Sequence, residues 1–481
     1  MSVLEELRAR VSEFLARADQ NGPIAATAKF RVRRDRETEF RRLALEFTSA
    51  TRRMQGVRKV GLHRHRSANP AECGPIEYLI YEDWRSVAAF IPQWNSSHLA
   101  RFQMATREMM SEPPVLTLYD GSPVASVVLR TGQKKCWDSK GTEIAAAGTG
   151  QDGDKRKGAT VDSPRFTDNG NGSVTDNLTG LVWLKNANLF GDVSWSEAMK
   201  NAAGLSAGKS GLADGSEPGD WRMPNLNELQ SLLDLSRDHG PSIPVDNPFI
   251  NLQCANYWTS SSVAIAPALG WYTALAVGPP VFDLKGNIMR MWPVRGSGNG
   301  AVPQTGAKQC FDDQWGAPVD CAGTRQDAAL AMGAPLPSPR FKDNEDGTVT
   351  DNLTRLVWLK DANRFGTLPW ADALMKCNAL SSEGPQPPGA IKLSDGSHAG
   401  DWRLPNFNEL RSIVDYSCAA PAIASDHPFR NVRPSLYWCS TTVPSAPNLA
   451  RFVFVGVGPG VWDHKSVRMN VWPVRNGSEA E

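Results

Sequence analysis

At 481 residues the chain exceeds what one hydrophobic core supports and suggests about three domains at ~150 residues each. Its 52 Lys plus Arg against 51 Asp plus Glu leave a net charge of +1, so no overall field draws in nucleic acid, which is excluded as an expected partner. No apolar run approaches the ~20 residues of a membrane span, and the start MSVLEELRARVSEFLARADQ lacks the apolar heart of a signal peptide, which makes the cytoplasm the expected compartment.

Residues 1–22 are amphipathic and predict an amino-terminal helix. IAATAKFRVRR then reads as a strand, and Phe40, Leu43, Phe47, Ala50 and Met54 recur at helical spacing over Glu37 to Met54. GVRKVGLHRHR and IEYLIYEDW read as two more strands, followed by a helical stretch from Ser86 to about Met110 and the strand PVLTLYD. The order β-α-β-β-α-β is that of a ferredoxin-like unit. One face of such a sheet takes the helices and the other needs a cover, which a second copy supplies, so a homodimer through this domain is expected. His63 and His65 point to the same side of their strand, but no third ligand stands at a matching spacing and no metal site is expected.

On the strand and helix order, the IYEDW that closes the third strand and the WNSSHLARF that follows, residues 23–121 resemble the antibiotic biosynthesis monooxygenase family. These are dimeric α/β barrels that include cofactor-independent quinol oxygenases. The resemblance implies an apolar pocket between sheet and helices, no cofactor, His98, Trp84 and Tyr78 as candidate catalytic residues, and Tyr81 and Trp94 as candidate substrate-binding residues. Haem-degrading relatives fit less well, because Trp94 stands where they carry an axial histidine and the first strand lacks their asparagine. The plainer alternative, His98 packing a helix while the aromatics fill the barrel, remains open at this stage.

Beyond this segment the chain repeats itself. NGNGSVTDNLTGLVWLKNANLFG from Asn169 returns as NEDGTVTDNLTRLVWLKDANRFG from Asn344, GDWRMPNLNEL from Gly219 as GDWRLPNFNEL from Gly400, and MWPVR as VWPVR. Two modules, 131–296 and 305–477, are expected with a Gly/Pro-rich linker at 297–304, each with its own core because the period is far longer than that of a solenoid. Asn225 followed by Glu228, and Asn406 by Glu409, read as capping boxes that open a helix. Trp183, Trp195, Trp221, Trp258 and Trp292 have counterparts Trp358, Trp370, Trp402, Trp438 and Trp472, read as core in preference to a sugar-stacking surface. FTDNGNG and FKDNEDG read as tight turns in preference to calcium loops. No C-x-x-C pair occurs, and Cys310 with Cys321 is the most plausible disulfide.

DNGNGSVTDNLTGLVWLK, GDWRMPNLNEL, YWTSS and the terminal WPVR together resemble the Lcl C-terminal domain family in two tandem copies. That family is similar to the C-type-lectin-like fold shared with formylglycine-generating enzymes, which implies a glycan or protein ligand. It does not imply their oxidase chemistry, since Val281 to Arg295 contain no cysteine and none follows Cys439. The expected class is therefore α+β: an amino-terminal ferredoxin-like dimeric α/β-barrel domain and two tandem C-type-lectin-like domains. The favoured function at this stage is binding or assembly, with a dimerising barrel carrying lectin-like modules. The alternative is a cofactor-independent monooxygenase acting on a small aromatic substrate.

Overall fold

A computed structural model describes residues 24–55, 57–64, 75–84, 86–120, 128–160, 164–385 and 391–477, together with Val11 and Leu15. The chain divides into two compact units, Met1–Val124 and Ala125–Glu481. Among the described residues no helix is long and apolar enough to cross a membrane.

In the first unit, β1 (Ile24–Val32), α1 (Glu37–Arg52), β2 (Val57–Arg64), β3 (Ile76–Trp84), α2 (Val87–Trp94), α3 (Ser97–Thr106) and β4 (Val115–Asp120) follow in order. The strands pair antiparallel in the order β2-β3-β1-β4, which is the ferredoxin-like arrangement read from the sequence. The helical stretch expected from Ser86 to Met110 is broken into two α-helices. Pro92 contributes no N–H to the end of α2, and Ser96 then caps α3 by accepting from the Leu99 N–H at 3.2 Å. Alternation along β1 and β3 sets Ala26 opposite Glu82 and Ala28 opposite Ile80. Phe40, Ala44, Phe47, Thr48 and Thr51 form the buried stripe of α1. The helix expected over 1–22 lies outside the described residues apart from Val11 and Leu15, both buried with Ile24, Ala26 and Trp84.

The second unit holds both repeats. Each copy contributes a short hairpin, Phe166–Asp168 with Ser173–Asp176 and Phe341–Asp343 with Thr348–Asp351. In the turns, Asn169 donates to Ser173 and Thr175, Asn344 to Thr348 and Thr350, while Lys185 and Lys360 pair with Asp168 and Asp343. Asp168, Asp343 and Asp346 of FTDNGNG and FKDNEDG are thus engaged in tight turns. Each copy also contributes three core strands, Asn256–Ser262, Leu269–Ala274 and Pro280–Leu284 in the first and Leu436–Thr442, Leu449–Phe454 and Gly460–His464 in the second. All ten paired tryptophans are buried, so they supply core. Cys310 and Cys321 are disulfide-bonded.

The repeat is present as read, but the expectation of a separate core for each copy is corrected by the packing. One apolar cluster contains Trp183, Leu229 and Trp292 of the first copy together with Trp358, Leu410 and Trp472 of the second, and each copy keeps only a smaller satellite around Trp195 or Trp370. The reason is an exchange of leading segments. Asp152, in the leading segment of the first module, accepts from Thr441 of the second, and Asp327, in the leading segment of the second module, accepts from Ser261 of the first. Lys465 donates to the carbonyls of Trp137 and Asp138, and Lys285 reciprocally to that of Asp312.

The duplicated GDWR(M/L)PN(L/F)NEL peptide serves this exchange twice over. Asn225 and Asn406 close capping boxes with Glu228 and Glu409, as their spacing predicts. The same carboxylates are neutralised by the buried Arg222 and Arg403, which keeps each cap satisfied in a dry interior. The remaining amide protons reach the exchanged segments: Asn225 donates to Met332 O and Asn227 to Pro303 O, while Asn406 donates to Lys157 O and Asn408 to Leu129 O.

Candidate active site

In the first unit a cavity of about 500 Å³ lies between the sheet and the helices. Small side chains on the central strand, Ala26 and Ala28, leave the space, and Phe47, Phe90, Trp94 and Phe102 surround it with rings. A volume of this size is within the ~300–1,000 Å³ range of small-molecule sites.

The sheet places the Glu82 carboxylate among these rings, while Arg107 and Glu112 line the cavity from the segment before β4. Glu82 is 7% exposed; its Oε2 accepts from Trp84 Nε1 at 3.1 Å and its Oε1 from Gln93 Nε2 at 3.1 Å. Burial pushes its pKa up to about 7, and the two hydrogen bonds, which favour the ionised form, only partly oppose that. Gln93 spends its second amide proton on Thr51 Oγ1 at 3.0 Å and accepts from Ser96 Oγ at 3.3 Å, so its orientation is fixed from both ends. Thr51 directs its own proton to Phe47 O at 3.0 Å, which leaves its oxygen to accept from His98 Nε2 at 3.3 Å. A chain of polar contacts therefore runs from the cavity carboxylate through α2 and α1 to α3.

The five residues singled out from sequence are distributed around this chain. Trp94 lines the cavity. Trp84 is fully buried and touches the site through its indole N–H on Glu82. Tyr78 shares the inward face of β3 but packs on Phe40, 5.2 Å between ring centroids, and donates to Glu37 Oε1. His98 sits half-buried against Phe47, separated from Glu82 by Thr51 and Gln93, and its pKa is lowered by burial and by the nearby Arg101. Tyr81 follows Ile80 and precedes Glu82, so it points to the opposite side of the sheet. The structure thus brings Trp94 to the cavity, sets Trp84 behind its wall with the indole N–H on Glu82, and leaves Tyr78, His98 and Tyr81 off the wall. Glu82, Gln93 and Thr51 were not anticipated. The readable signal is that Ile76, Tyr78, Ile80, Glu82 and Trp84 share one face of IEYLIYEDW, which puts a carboxylate among inward apolar residues.

Among the described residues no group of three or more His, Cys, Asp or Glu side chains converges in a way that holds a metal ion. His63 lies in β2, whereas His65 is outside the described residues.

The sequence profile of the Lcl C-terminal domain matches residues 172–295 and 347–475, together more than half of the chain, and that of the antibiotic biosynthesis monooxygenase domain matches 23–104. Solved structures similar to part of the chain include a protein of Mycobacterium tuberculosis at 25% identity, covering 21% of this chain and 94% of that one with a TM-score of 0.18. A conserved protein of Methanosarcina mazei is 18% identical over 22% of this chain and 96% of its own, TM-score 0.18. An antibiotic biosynthesis monooxygenase is 16% identical over 21% and 99%, TM-score 0.18. Comparison with curated proteins gives no match.

Proposed function

The chain belongs to the Lcl C-terminal domain family through its duplicated region and carries an antibiotic biosynthesis monooxygenase domain ahead of it; from that premise we propose that the amino-terminal cavity oxygenates a small aromatic quinol, with Glu82 as the base. The observation that carries this reading is a carboxylate with a pKa of about 7 set among aromatic rings in a cavity of about 500 Å³. At neutral pH such a group is ionised in a large fraction of molecules, yet basic enough to take a phenolic proton. Withdrawing that proton makes the ring electron-rich enough to reduce oxygen directly. A quinol and O₂ then give a hydroxyquinone and water: one oxygen atom enters the ring, the other leaves as water, and the quinol supplies all four electrons. Trp84 and Gln93 hold the carboxylate toward the cavity, and His98 acts on it only through Thr51 and Gln93.

The rival reading makes the barrel a dimerisation unit alone. It is less well supported, because a domain with only a packing role closes such volume to gain contacts. Dimerisation is compatible with catalysis and forms part of the proposal. The sheet face opposite the cavity, with half-buried Thr27 and Tyr81, is taken as the surface that a second copy covers. The tandem unit is assigned a binding or assembly role, without its ten paired tryptophans as contact groups because they are core.

Oxygen uptake by the full chain with a panel of quinols tests the proposal, against the cavity-filling variant Ala28→Phe. Uptake by the wild type and its loss in the variant are expected. No uptake with any quinol, or unchanged uptake when the cavity is filled, would count against it.

A further inference from the structure

The tandem unit contains a second, smaller cavity of about 70 Å³ between the two copies of the duplicated helix. One helix lines it with Asn227 and Gln230, the other with Asn408 and Arg411, and Arg340 approaches from the side. No carboxylate lines it among the described residues.

Gln230 and Arg411 occupy the same position of the repeat, in NELQS and NELRS, so the pair of copies puts one extra positive charge at their junction. Arg411 is 8% exposed, and its Nε is buried with no hydrogen-bond partner. Its guanidinium lies over the face of Phe407, with Cζ 5.7 Å from the ring centroid, and no carboxylate pairs with it among the described residues. Arg340, by contrast, is neutralised by Asp351. A guanidinium largely withdrawn from water without a counter-charge is costly. Across the cavity Gln230 commits its amide protons to Thr273 Oγ1 at 2.9 Å and Gly278 O at 3.1 Å, while its Oε1, also buried, accepts nothing.

The cavity therefore presents an unpaired cation and an unpaired hydrogen-bond acceptor. A ligand that satisfies both carries a negative charge for Arg411 and retains one O–H for Gln230. We propose that the junction of the two copies binds one small protonated oxyanion of the hydrogen phosphate class. The volume admits such an ion, since about 70 Å³ exceeds several-fold the ~10–15 Å³ that one water needs. Sulfate has the same size but no proton to donate, so the site discriminates against it. The two copies differ at this position, which makes the stoichiometry one ion per chain.

Isothermal titration of inorganic phosphate into the full chain, with ionic strength held by gluconate because it is too bulky for the cavity, tests this. The expected result is saturable binding at one site per chain, at least tenfold weaker binding of sulfate, and loss of both with Arg411→Gln. That variant restores the residue the first copy carries and removes a buried charge, so retention of the folded circular dichroism spectrum is expected. The wild-type comparison of phosphate with sulfate stands even where the variant does not fold. Absence of saturable phosphate binding, equal affinity for sulfate, or undiminished binding by a folded Arg411→Gln overturns the proposal.

Discussion

Thr441 Oγ1 donates to Asp152 Oδ2 at 2.6 Å, so a core strand of the second repeat is tied to the leading segment of the first module. Ser261 makes the reciprocal contact with Asp327 at 2.5 Å. Both carboxylates are deeply buried, and each takes another hydroxyl from its own side, Thr131 or Thr305 at 2.6 Å. Neither repeat completes its interior without the leading segment of the other.

Thr441→Val removes one donor and leaves part of a buried carboxylate unsatisfied, so a loss of about 1–3 kcal/mol is expected in urea denaturation of the full chain. The duplicated region is expected to unfold in one transition by tryptophan fluorescence. Two resolved transitions, one for each repeat, would show that the exchange does not couple them.

Burial raises Asp152 and Asp327 from an ordinary 3.8 to about 6. Between those values the native state holds more protons than the unfolded chain, so these groups favour folding below pH 4 and lose that contribution as pH rises through about 6. Denaturation between pH 4 and 7 is expected to show this falling component, and the double variant Asp152→Asn, Asp327→Asn to flatten it. A component that rises with pH in the wild type and vanishes in the variant would reverse the assignment.

Gln93 donates to Glu82 and thereby holds its pKa down against burial. Gln93→Leu removes that bond, so the pH at which activity appears is expected to move upward, with the plateau rate less affected than the profile. An unchanged profile would mean that the contact does not tune the base.

Thr27 lies half-buried on the sheet face away from the cavity. Light scattering of the wild type is expected to give twice the chain mass, and Thr27→Arg the mass of one chain. A wild-type monomer would remove the proposed dimer face.

Much of this organisation was legible because it rests on local patterns. The alternation in IEYLIYEDW and the apolar spacing of α1 set the ferredoxin-like order, and Asn225 with Glu228 announced a cap that the structure contains. Exchange of the leading segments was not legible, since Asp152 and Thr441 stand 289 positions apart and no local propensity encodes their meeting. The site was half readable. Trp84 and Trp94 stood out as aromatics, whereas Glu82, adjacent to Asp83, is set apart only by the inward strand face it shares with Ile76, Tyr78 and Ile80. His98 drew notice as the chemistry-bearing type, but its position on α3 directs it to Thr51 and Phe47.

The most direct test is the pH dependence of kcat/KM for quinol oxygenation by the wild type and Glu82→Gln. The expected wild-type profile rises through about pH 7 as Glu82 ionises, and the variant loses about 10²–10⁴-fold at the plateau. A Glu82→Gln enzyme that keeps the wild-type rate and the same rise would contradict the assignment of Glu82 as the base.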